Sequence, residues 1–360
     1  MPEPQDLDEI VRATKGIPFY EWLLGRQTGF DGFGKDELVQ AQRELGLACL
    51  VRRSAKIAYV FAHPGPYYLA YSTEGWSYFV DQHVAIFRAA GITADDCVDV
   101  AVSFHFVVAG LAYADALVRL GATVIPGGPG SHLEHARAVA DSGATWLIGF
   151  PSFLQRVVAE LPQGLRLRGI IAVGERMTEG MQRDLLARAD RVVATYGTSE
   201  AGPFAYTCEE GNLHSAPDSN VQITFSTPVD DGSPPLAEIV LTDTARPDAP
   251  LFNYGTGDLS FATRCTCGLS TLAFVSPRGR RSDWIRVRGI FVNTKDVAAV
   301  VKELAGCEST SIERQSSDTG EEVFVVLKGV PGTSRVEISK LEQALRERFR
   351  VRLMVKDERQ

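Results

Sequence analysis

The sequence lacks the features that mark several large classes of protein. It contains no run of about 18 apolar residues that could span a bilayer. Six cysteines in 360 residues are too few for a scaffold held by disulfides. A net charge of −8 leaves no concentrated basic face, so we expect neither nucleic acid nor membrane as a partner. Residues 1–6 do not have the charged and then apolar profile of a signal peptide, so we expect a cytoplasmic protein.

Lysine is also scarce. Only eight of the 37 lysine and arginine residues are lysines, and none lies between Lys56 and Lys295. A bias toward arginine can follow from genomic base composition alone, so it does not by itself indicate a function. A lysine ammonium is nevertheless the usual point charge on a transferring phosphate. Residues 57–294 offer no such group.

Apolar segments and amphipathic segments alternate along residues 97–174, and their lengths are typical of strands and helices. The predicted strands are Cys97–Phe106, Ala122–Pro126, Thr145–Phe150 and Gly169–Gly174, and the predicted helices are Ala109–Leu120, His132–Ser142 and Phe153–Leu161. This order predicts an α/β fold in which helices cover a parallel sheet.

The flanking regions have different patterns. Residues 8–47 are predicted to be helical, Ile57–Phe61 to be a buried strand and Gly75–Ala90 a helix. Residues 220–275 predict antiparallel strands, and a β-α-β-β-α-β pattern begins at Ile285 and ends with a helix over Arg335–Arg350. We therefore predict a large domain over residues 1–283 and a small α+β domain over residues 284–360.

Four soft ligands indicate a metal site. Cys208 and His214 are separated by five residues, and Cys265 and Cys267 by one. Two thiolates, a third thiolate and an imidazole suit tetrahedral Zn²⁺, and a closed set of four indicates a structural ion. The alternative is a group of isolated core cysteines, because Cys-x-Cys is tighter than the usual zinc knuckle. The other cysteines, Cys49, Cys97 and Cys307, have no such spacing and are predicted to be small buried hydrophobic residues.

Two short motifs carry a family resemblance. Tyr196–Glu200 and Tyr254–Asp258 resemble the nucleotide-contacting signatures of the phenylacetate–coenzyme A ligase family of adenylate-forming enzymes. Val173–Arg176 resembles that family's strand end beside adenine, and Gly279–Arg280 its hinge. The resemblance covers roughly residues 15–350. It implies a large domain of stacked sheets and helices, with a small α+β domain that is shorter than the family's.

The resemblance implies roles for individual residues. Tyr196 and Gly197 would lie beside adenine, Thr198 would contact phosphate, Glu200 would help to hold magnesium, and Asp258 would accept hydrogen bonds from ribose hydroxyls. The remaining residues implied in binding an AMP-like moiety are Glu175 and Arg280. The family also carries a Cys…His pair and a Cys-x-Cys-Gly, and this likeness favours zinc at Cys208, His214, Cys265 and Cys267.

The chain departs from the family where ATP is handled. The family's phosphate loop, rich in glycine and hydroxyl groups and bearing a lysine, corresponds to residues 59–66, which here include His63, Pro64 and Pro66. A phosphate cradle needs converging backbone N–H groups, and proline has none. The sequence also stops at Gln360, before the loop that carries the family's second lysine. The loss of the loop and of both lysines predicts that ATP is not cleaved.

Two histidines are candidate catalytic groups. His63 lies in the altered phosphate loop, and His105 lies in the region that lines the family's acyl pocket; either could be a general acid or base. The alternative is that these are hydrogen-bonded core histidines, an interpretation that fits His105 at least as well as a catalytic role. The aromatic residues nearby are predicted only to fill the space of the missing triphosphate: Tyr67, Tyr68 and Trp76.

The preferred functional hypothesis is an acyl-transfer enzyme that uses a preactivated acyl group without cleaving ATP. The acyl group would arrive as an acyl adenylate or as a thioester of coenzyme A or pantetheine, and Glu200 would take part in catalysis. The expected partners are a small-molecule acyl substrate, with coenzyme A or an acyl carrier protein, and a homodimer is left open. Two alternatives remain: an ATP-dependent ligase with replaced phosphate-binding residues, and a non-catalytic scaffold protein.

Overall fold

The computed structural model describes residues 7–26, 30–63, 67–216, 218–229, 233–287, 290–307, 309–317, 320–328, 338–349 and 352–357. They form two compact units. The first comprises the chain up to residue 226 together with residues 238–278, and the second comprises residues 227–237 and 279 onward. The division predicted at residue 283 stays a prediction. Within the described ranges, no helix is both long enough and apolar enough to cross a bilayer.

Three short helices occupy the N-terminal region, as its pattern predicted: α1 (Leu7–Ala13), α2 (Pro18–Leu24) and α3 (Lys35–Leu45). Proline suits the first position of α2, where its missing N–H would have no helical partner. Tyr20 is 2% exposed, and its hydroxyl donates to the carbonyl of Pro250 at 2.8 Å. Helix α2 is therefore packed against a later part of the chain within the first unit.

A two-stranded ribbon follows, made of β1 (Ile57–Ala62) and β2 (Tyr68–Ser72), and it leads into α4 (Thr73–Ala90). The prediction that β1 is a buried strand was wrong, because Tyr59 is 39% exposed and Val60 is 45% exposed. Tyr59 and Val60 are successive residues and point to opposite faces, so neither face of the two-stranded ribbon is completely covered at this point. Ser72 caps α4 by accepting a hydrogen bond from the N–H of Gly75 at 2.9 Å.

The centre of the first unit is the predicted alternation of strands and helices. Its elements are β3 (Cys97–Ala101), α5 (Val108–Leu120), β4 (Thr123–Ile125), α6 (His132–Ser142), β5 (Trp146–Gly149), α7 (Pro151–Ala159), β6 (Gly169–Ala172), α8 (Glu179–Leu186) and β7 (Val192–Thr198). The strands are parallel in the order β4-β3-β5-β6-β7. The strand predicted to reach Phe106 ends at Ala101. Phe106 itself has φ 59°, in the left-handed region that an extended strand does not include.

Alternate side chains of these strands enter two apolar clusters. Ile148 and Ile171 belong to one, whereas Leu147 and Ile170 belong to the other, and all four are 0% exposed. Successive residues of a strand point to opposite faces, so both faces of the sheet are covered. Full burial of such a side chain contributes roughly 1.5–3 kcal/mol. The covering of both faces of the sheet explains the continuous apolar runs in the sequence.

Beyond β7 the chain turns antiparallel, as predicted for residues 220–275. The strands are β8 (Gly202–Thr207), β9 (Leu213–Ser215), β10 (Gln222–Phe225), β11 (Ala237–Asp243), β12 (Leu251–Ser260) and β13 (Ala273–Phe274). Strands β8, β9 and β13 extend the parallel sheet to eight strands, in the order β13-β9-β8-β7-β6-β5-β3-β4. Strands β10, β11 and β12 are neighbours in a second sheet.

The second unit is a smaller α+β arrangement. Its elements are β14 (Gly279–Arg280), β15 (Trp284–Val287), β16 (Ile290–Asn293), α9 (Thr294–Ala305), β17 (Ser309–Ser317), β18 (Gly320–Lys328), α10 (Ile338–Phe349) and β19 (Met354–Asp357). The predicted pattern begins at Ile285 in β15, and its remaining elements follow in the predicted order from α9 to β19, with β16 as an additional strand before α9. Of the helix predicted over Arg335–Arg350, residues 335–337 and 350 lie outside the described residues. The predicted α/β fold class with a small α+β part is confirmed.

Candidate functional site

The loops that follow the parallel strands define the candidate site. The chain passes from β3 outward to β4 and then returns to β5 on the other side of β3, so the strand order reverses beside β3. Ligands of open α/β sheets bind at such a reversal, outside the carboxyl ends of the strands. Residues 102–107 and 150–152 form these ends. The hydroxyl of Ser152 donates to Oε2 of Glu175 at 2.6 Å, which joins the loops after β5 and β6.

Glu200, just after β7, is the centre of a polar cluster that we call the Glu200 centre: Lys35, His63, Tyr67 and Glu200. Its carboxylate is 2% exposed. The hydroxyl of Tyr67 donates to Oε1 of Glu200. The same oxygen lies 3.7 Å from Nε2 of His63 and 3.9 Å from Nζ of Lys35. Three donors from two distant parts of the chain therefore surround one carboxylate oxygen.

Local structure explains how these donors reach Glu200. The backbone of Phe33 bridges to Tyr254 in β12, where the N–H of Gly255 donates to the carbonyl of Phe33 at 2.8 Å. This bridge sets the start of α3, whose first residue is Lys35. On the other side, the N–H of His63 donates to the carbonyl of Tyr67 at 3.0 Å, and their rings stack with centroids 4.3 Å apart. Both elements thus place a donor against the end of β7.

The charges at this centre favour an ionised carboxylate. Burial raises the pKa of Glu200, but the Lys35 ammonium, the Tyr67 hydroxyl and His63 outweigh burial and hold that pKa below its usual value. Tyr254 lies close enough to feel the result. Burial, followed by the charge of Glu200, raises the pKa of Tyr254 well above that of an ordinary tyrosine. Glu200 is therefore a buried, stabilised anion.

The segment that replaces the phosphate loop has few backbone donors left. The N–H of Ala62 donates to the carbonyl of Phe106 at 2.8 Å, and that of His63 donates to Tyr67. Pro64 and Pro66 lie outside the described residues, and neither has an N–H. Because the described donors are engaged and the prolines supply none, the described part of this segment does not offer the converging N–H groups that hold a phosphate.

Tyr196 and Asp258 are brought together. The Tyr196 hydroxyl donates to Oδ2 of Asp258 at 2.9 Å, and its ring packs edge-on against Phe204 with centroids 4.9 Å apart. Both residues are half-buried. Thr198 lies two residues beyond Tyr196, and its Oγ1 accepts a hydrogen bond from the N–H of Ala201 at 3.1 Å. A polar edge with an oriented carboxylate therefore borders the end of β7.

Gly197 has a local structural role. A Cβ added there would come within 2.6 Å of the carbonyl oxygen of Gly202 and of the Cα of Pro203 in β8. The register of β7 and β8 shifts at this point. Glycine is therefore needed for the close approach of the two strands, whether or not a ligand lies beside it.

Two predicted residues, Glu175 and His105, make their hydrogen bonds in the described part of the chain outside the Glu200 centre and outside the Tyr196–Asp258 pair. Glu175 is exposed and accepts from Ser152. His105 is exposed, with its backbone N–H donating to Oγ of Ser103 at 3.1 Å. Arg280 is exposed and belongs to the second unit. The alternative that His105 is a buried core histidine was wrong, because it lies on a loop beyond the end of β3.

The four predicted metal ligands form one cluster, which we call the thiol–imidazole cluster: Cys208, His214, Cys265 and Cys267. Their ligand atoms all lie within 4.8 Å of one another. Sγ of Cys208 is 3.6 Å from Sγ of Cys265, and Sγ of Cys267 is 3.3 Å from Nε2 of His214. Ligands on a tetrahedral Zn²⁺ are about 3.8 Å apart, given Zn–S bonds of about 2.3 Å. The donor set and its spacing fit zinc.

Sequence reasoning missed part of the Glu200 centre. Lys35 lies far from the motifs, and no local pattern marks it. Tyr67 was predicted only to fill space, together with Tyr68 and Trp76, yet it donates to Glu200. Of the other two, Tyr68 is 49% exposed, and Trp76 belongs to the core and donates to Asp115 at 2.9 Å. The one available signal for Tyr67 was its place four residues after His63.

Comparison with known proteins agrees with the residues above. Residues 70–246 match the family model described as AMP-binding enzyme. The chain is 25% identical over 326 residues to the phenylacetate-coenzyme A ligase of Thermus thermophilus, covering 81% of this chain and 72% of that protein. It is 29% identical over 224 residues to the Escherichia coli enzyme of the same name, covering 57% of this chain and 50% of that protein.

A solved structure extends the likeness of fold over almost the whole chain. It is an open conformation of 2-hydroxyisobutyryl-CoA ligase in complex with 2-HIB-AMP and CoA, with a TM-score of 0.68 at 17% identity. The match covers 98% of this chain and 86% of that one. The chain spans about half the length of the Escherichia coli relative, so the activity of a complete ligase does not transfer to it directly.

Proposed function

We propose that this chain, which belongs to the adenylate-forming superfamily, is an acyl-transfer enzyme that takes a preactivated acyl group and does not cleave ATP. One observation carries this proposal: the backbone donors of Ala62 and His63 are already used, in a segment whose neighbours include two prolines. The acyl donor would be an acyl adenylate or a thioester. Transfer from such a donor requires no triphosphate site in the enzyme.

The physical reason is the charge that develops when pyrophosphate leaves. That charge must be met by cations and N–H donors that are already in place. Removing a single such donor typically slows a reaction about 10²–10³-fold. Here the described loop donors, those of Ala62 and His63, are engaged and the two prolines supply none, whereas an acyl adenylate or a thioester has already passed the step that needs such donors.

The proposed transfer forms one bond and breaks one. A nucleophile attacks the acyl carbon, and the acyl bond to AMP or to the thiol sulfur breaks, so that AMP or the thiol leaves. His63, 11% exposed and beside Glu200, would accept the nucleophile's proton and return it to the leaving group. His105, on the loop after β3, is the second candidate for this role.

The polar edge beside β7 would hold the non-reacting part of the donor. Asp258, oriented by Tyr196, can accept hydrogen bonds from a diol such as that of ribose. The other residues proposed to contact an AMP-like moiety are Gly197, Thr198, Glu175 and Arg280. In a coenzyme A or carrier-protein thioester, the sulfur of the pantetheine arm would be bonded to the acyl carbon that the nucleophile attacks.

A structural zinc ion is part of this proposal. Cys208, His214, Cys265 and Cys267 would bind it with all four positions filled, so it would supply cross-linking and no catalytic step. The ion would join the start of the loop after β8 to the loop before β13. We also propose that the protein is cytoplasmic and acts on a small-molecule acyl substrate, with coenzyme A or an acyl carrier protein as partner.

One observation favours a second candidate, an ATP-dependent ligase. The ammonium of Lys35 lies 3.9 Å from Glu200, so a lysine is present near the end of β7 although residues 57–294 contain none. Such a group is a usual partner of a phosphate. Lys35 would have to exchange Glu200 for the nucleotide in order to act in this way.

Two measurements separate these candidates. We expect no pyrophosphate exchange with a panel of aromatic and aliphatic carboxylates, and measurable binding of acyl sulfamoyladenosines, which mimic acyl adenylates. Asp258→Ala is the matched variant and should weaken that binding. Robust carboxylate-dependent exchange would instead establish the ligase. Failure to bind any acyl adenylate mimic or thioester would favour a scaffold protein.

A further inference from the structure

By resemblance, the glutamate at position 200 would help to hold magnesium, and the residues around it test that expectation. Mg²⁺ requires near-octahedral coordination by oxygen atoms and keeps several waters when it binds. A site for it therefore needs free carboxylate oxygens and space for hydrated metal. Among the described residues, the group of acidic, cysteine and histidine side chains placed to hold a metal is the thiol–imidazole cluster, which does not include Glu200.

The Oε1 atom of Glu200 is already taken. It accepts the hydroxyl hydrogen of Tyr67 and lies within 4 Å of two nitrogen atoms, those of His63 and Lys35, at ion-pair distance. A divalent cation at this oxygen would lie beside an ammonium and would have to displace a phenol. Side chains of the protein thus occupy the space beside Oε1 in which a bound metal would lie.

The Oε2 atom is limited by space and not by a bonded partner. It is buried and has no hydrogen-bond partner in the described part of the chain. Glu200 lines a small cavity of about 20 Å³ whose other walls are mainly apolar and include Arg246, itself 7% exposed. Such a volume holds about one water molecule, and hexahydrated or partly hydrated Mg²⁺ is larger. Arg246 also contributes a cationic side chain to the lining of this cavity.

We propose that Lys35, His63 and Tyr67 together take the place of a divalent cation at Glu200, so that this centre works without magnesium. The carboxylate then serves to hold the imidazole of His63 and the phenol of Tyr67 in position. Its anionic form is balanced by an ammonium from α3. This inference concerns the metal requirement of the centre and is the same for an acyl adenylate and for a thioester donor.

Metal binding tests the proposal without any assay of turnover. Mn²⁺ replaces Mg²⁺ at oxygen sites and is observed by electron paramagnetic resonance. Titration of zinc-loaded wild type and of Glu200→Gln should give the same number of bound Mn²⁺ ions at millimolar metal. One extra equivalent in the wild type, absent from Glu200→Gln of equal melting temperature, would overturn the proposal.

A second pair of variants tests the cause. Removing two of the three donors in Lys35→Ala/Tyr67→Phe should open Oε1 and allow one Mn²⁺ equivalent to bind, and adding Glu200→Gln should abolish it. Lys15→Ala/Tyr68→Phe is the matched control, because both residues are exposed and lie outside the centre. If the opened variant, folded and zinc-loaded, binds no more Mn²⁺ than this control, then Lys35 and Tyr67 are not what replaces the metal.

Discussion

The thiol–imidazole cluster and the Glu200 centre are both small polar groups in the first unit, but they assemble differently. The cluster draws on two short segments, Cys208–His214 and Cys265–Cys267, in which the ligands are a few residues apart. The centre joins residues from three parts of the chain, with Tyr67 and Glu200 separated by 133 positions. Rare residue types at close spacing can be recognised in a sequence, whereas the partner of a buried carboxylate is selected by the fold.

The two regions also hold charge differently. The thiol–imidazole cluster collects soft donors that need a cation to bind them together. The Glu200 centre contains its own cation in Lys35 and needs none from solution. If this difference is correct, removing a residue from each region should have unequal consequences for metal content and stability.

The largest effect is expected at the cluster. Cys265→Ser removes one of four ligands, so zinc should be lost and the first unit destabilised by about 4 kcal/mol or more, the range seen when a structural metal is lost. Metal analysis and denaturant unfolding measure the two effects. Cys97→Ser, at a half-buried cysteine outside the cluster, should retain the metal. Full zinc content in Cys265→Ser would contradict the assignment.

Next in size is the removal of the internal cation. Lys35→Met leaves Glu200 as a buried carboxylate without its ammonium, and breaking a buried ion pair typically costs about 3–5 kcal/mol. Because the Lys35 side chain is 30% exposed, we expect the lower end of this range. Adding Glu200→Gln should recover much of the loss. Denaturant unfolding of both variants, with Lys15→Met as control, gives the answer, and additive effects would show that the pair is not coupled.

A smaller effect is expected at the pocket edge. Asp258→Ala should weaken binding of an acyl adenylate mimic about ten- to a hundredfold, because a hydrogen bond to a charged group contributes roughly 1.5–3 kcal/mol. Zinc content should not change, which separates the pocket from the cluster. Calorimetric titration measures the affinity. Unchanged affinity with a normally folded variant would remove Asp258 from the site.

The smallest effect concerns pH. The pKa of Glu200 is lowered below 4.5 in the folded protein, against the opposing effect of burial, by Lys35, Tyr67 and His63. A lowered pKa contributes stability that is complete above the unfolded value and is lost as the pH falls below it, through the folded value. Wild type should therefore lose this part of its stability in acid, and Glu200→Gln should not. If the difference in unfolding free energy between wild type and Glu200→Gln is the same at every pH, this prediction is wrong.

Much of the first unit could be predicted because its sheet is covered on both faces. The apolar runs at Val98–Val102, Trp146–Gly149 and Gly169–Val173 have few polar interruptions, and buried parallel strands require this pattern. The exposure of strand β1 could not be predicted from its sequence. Its apolar sequence is that of a buried strand, and only its two-stranded environment leaves Tyr59 and Val60 in solvent.

The sequence by itself determined the strand and helix order, the four soft ligands and the two motifs at Tyr196 and Asp258, because each depends on residues close together in the chain. The tertiary structure alone decided which groups surround Glu200. Lys35 reaches it because Phe33 pairs with β12, and Tyr67 reaches it because the β1–β2 ribbon turns back at His63. Coulombic and hydrogen-bonded contacts of a buried charge depend on distance in space, and spacing along the chain does not encode that distance.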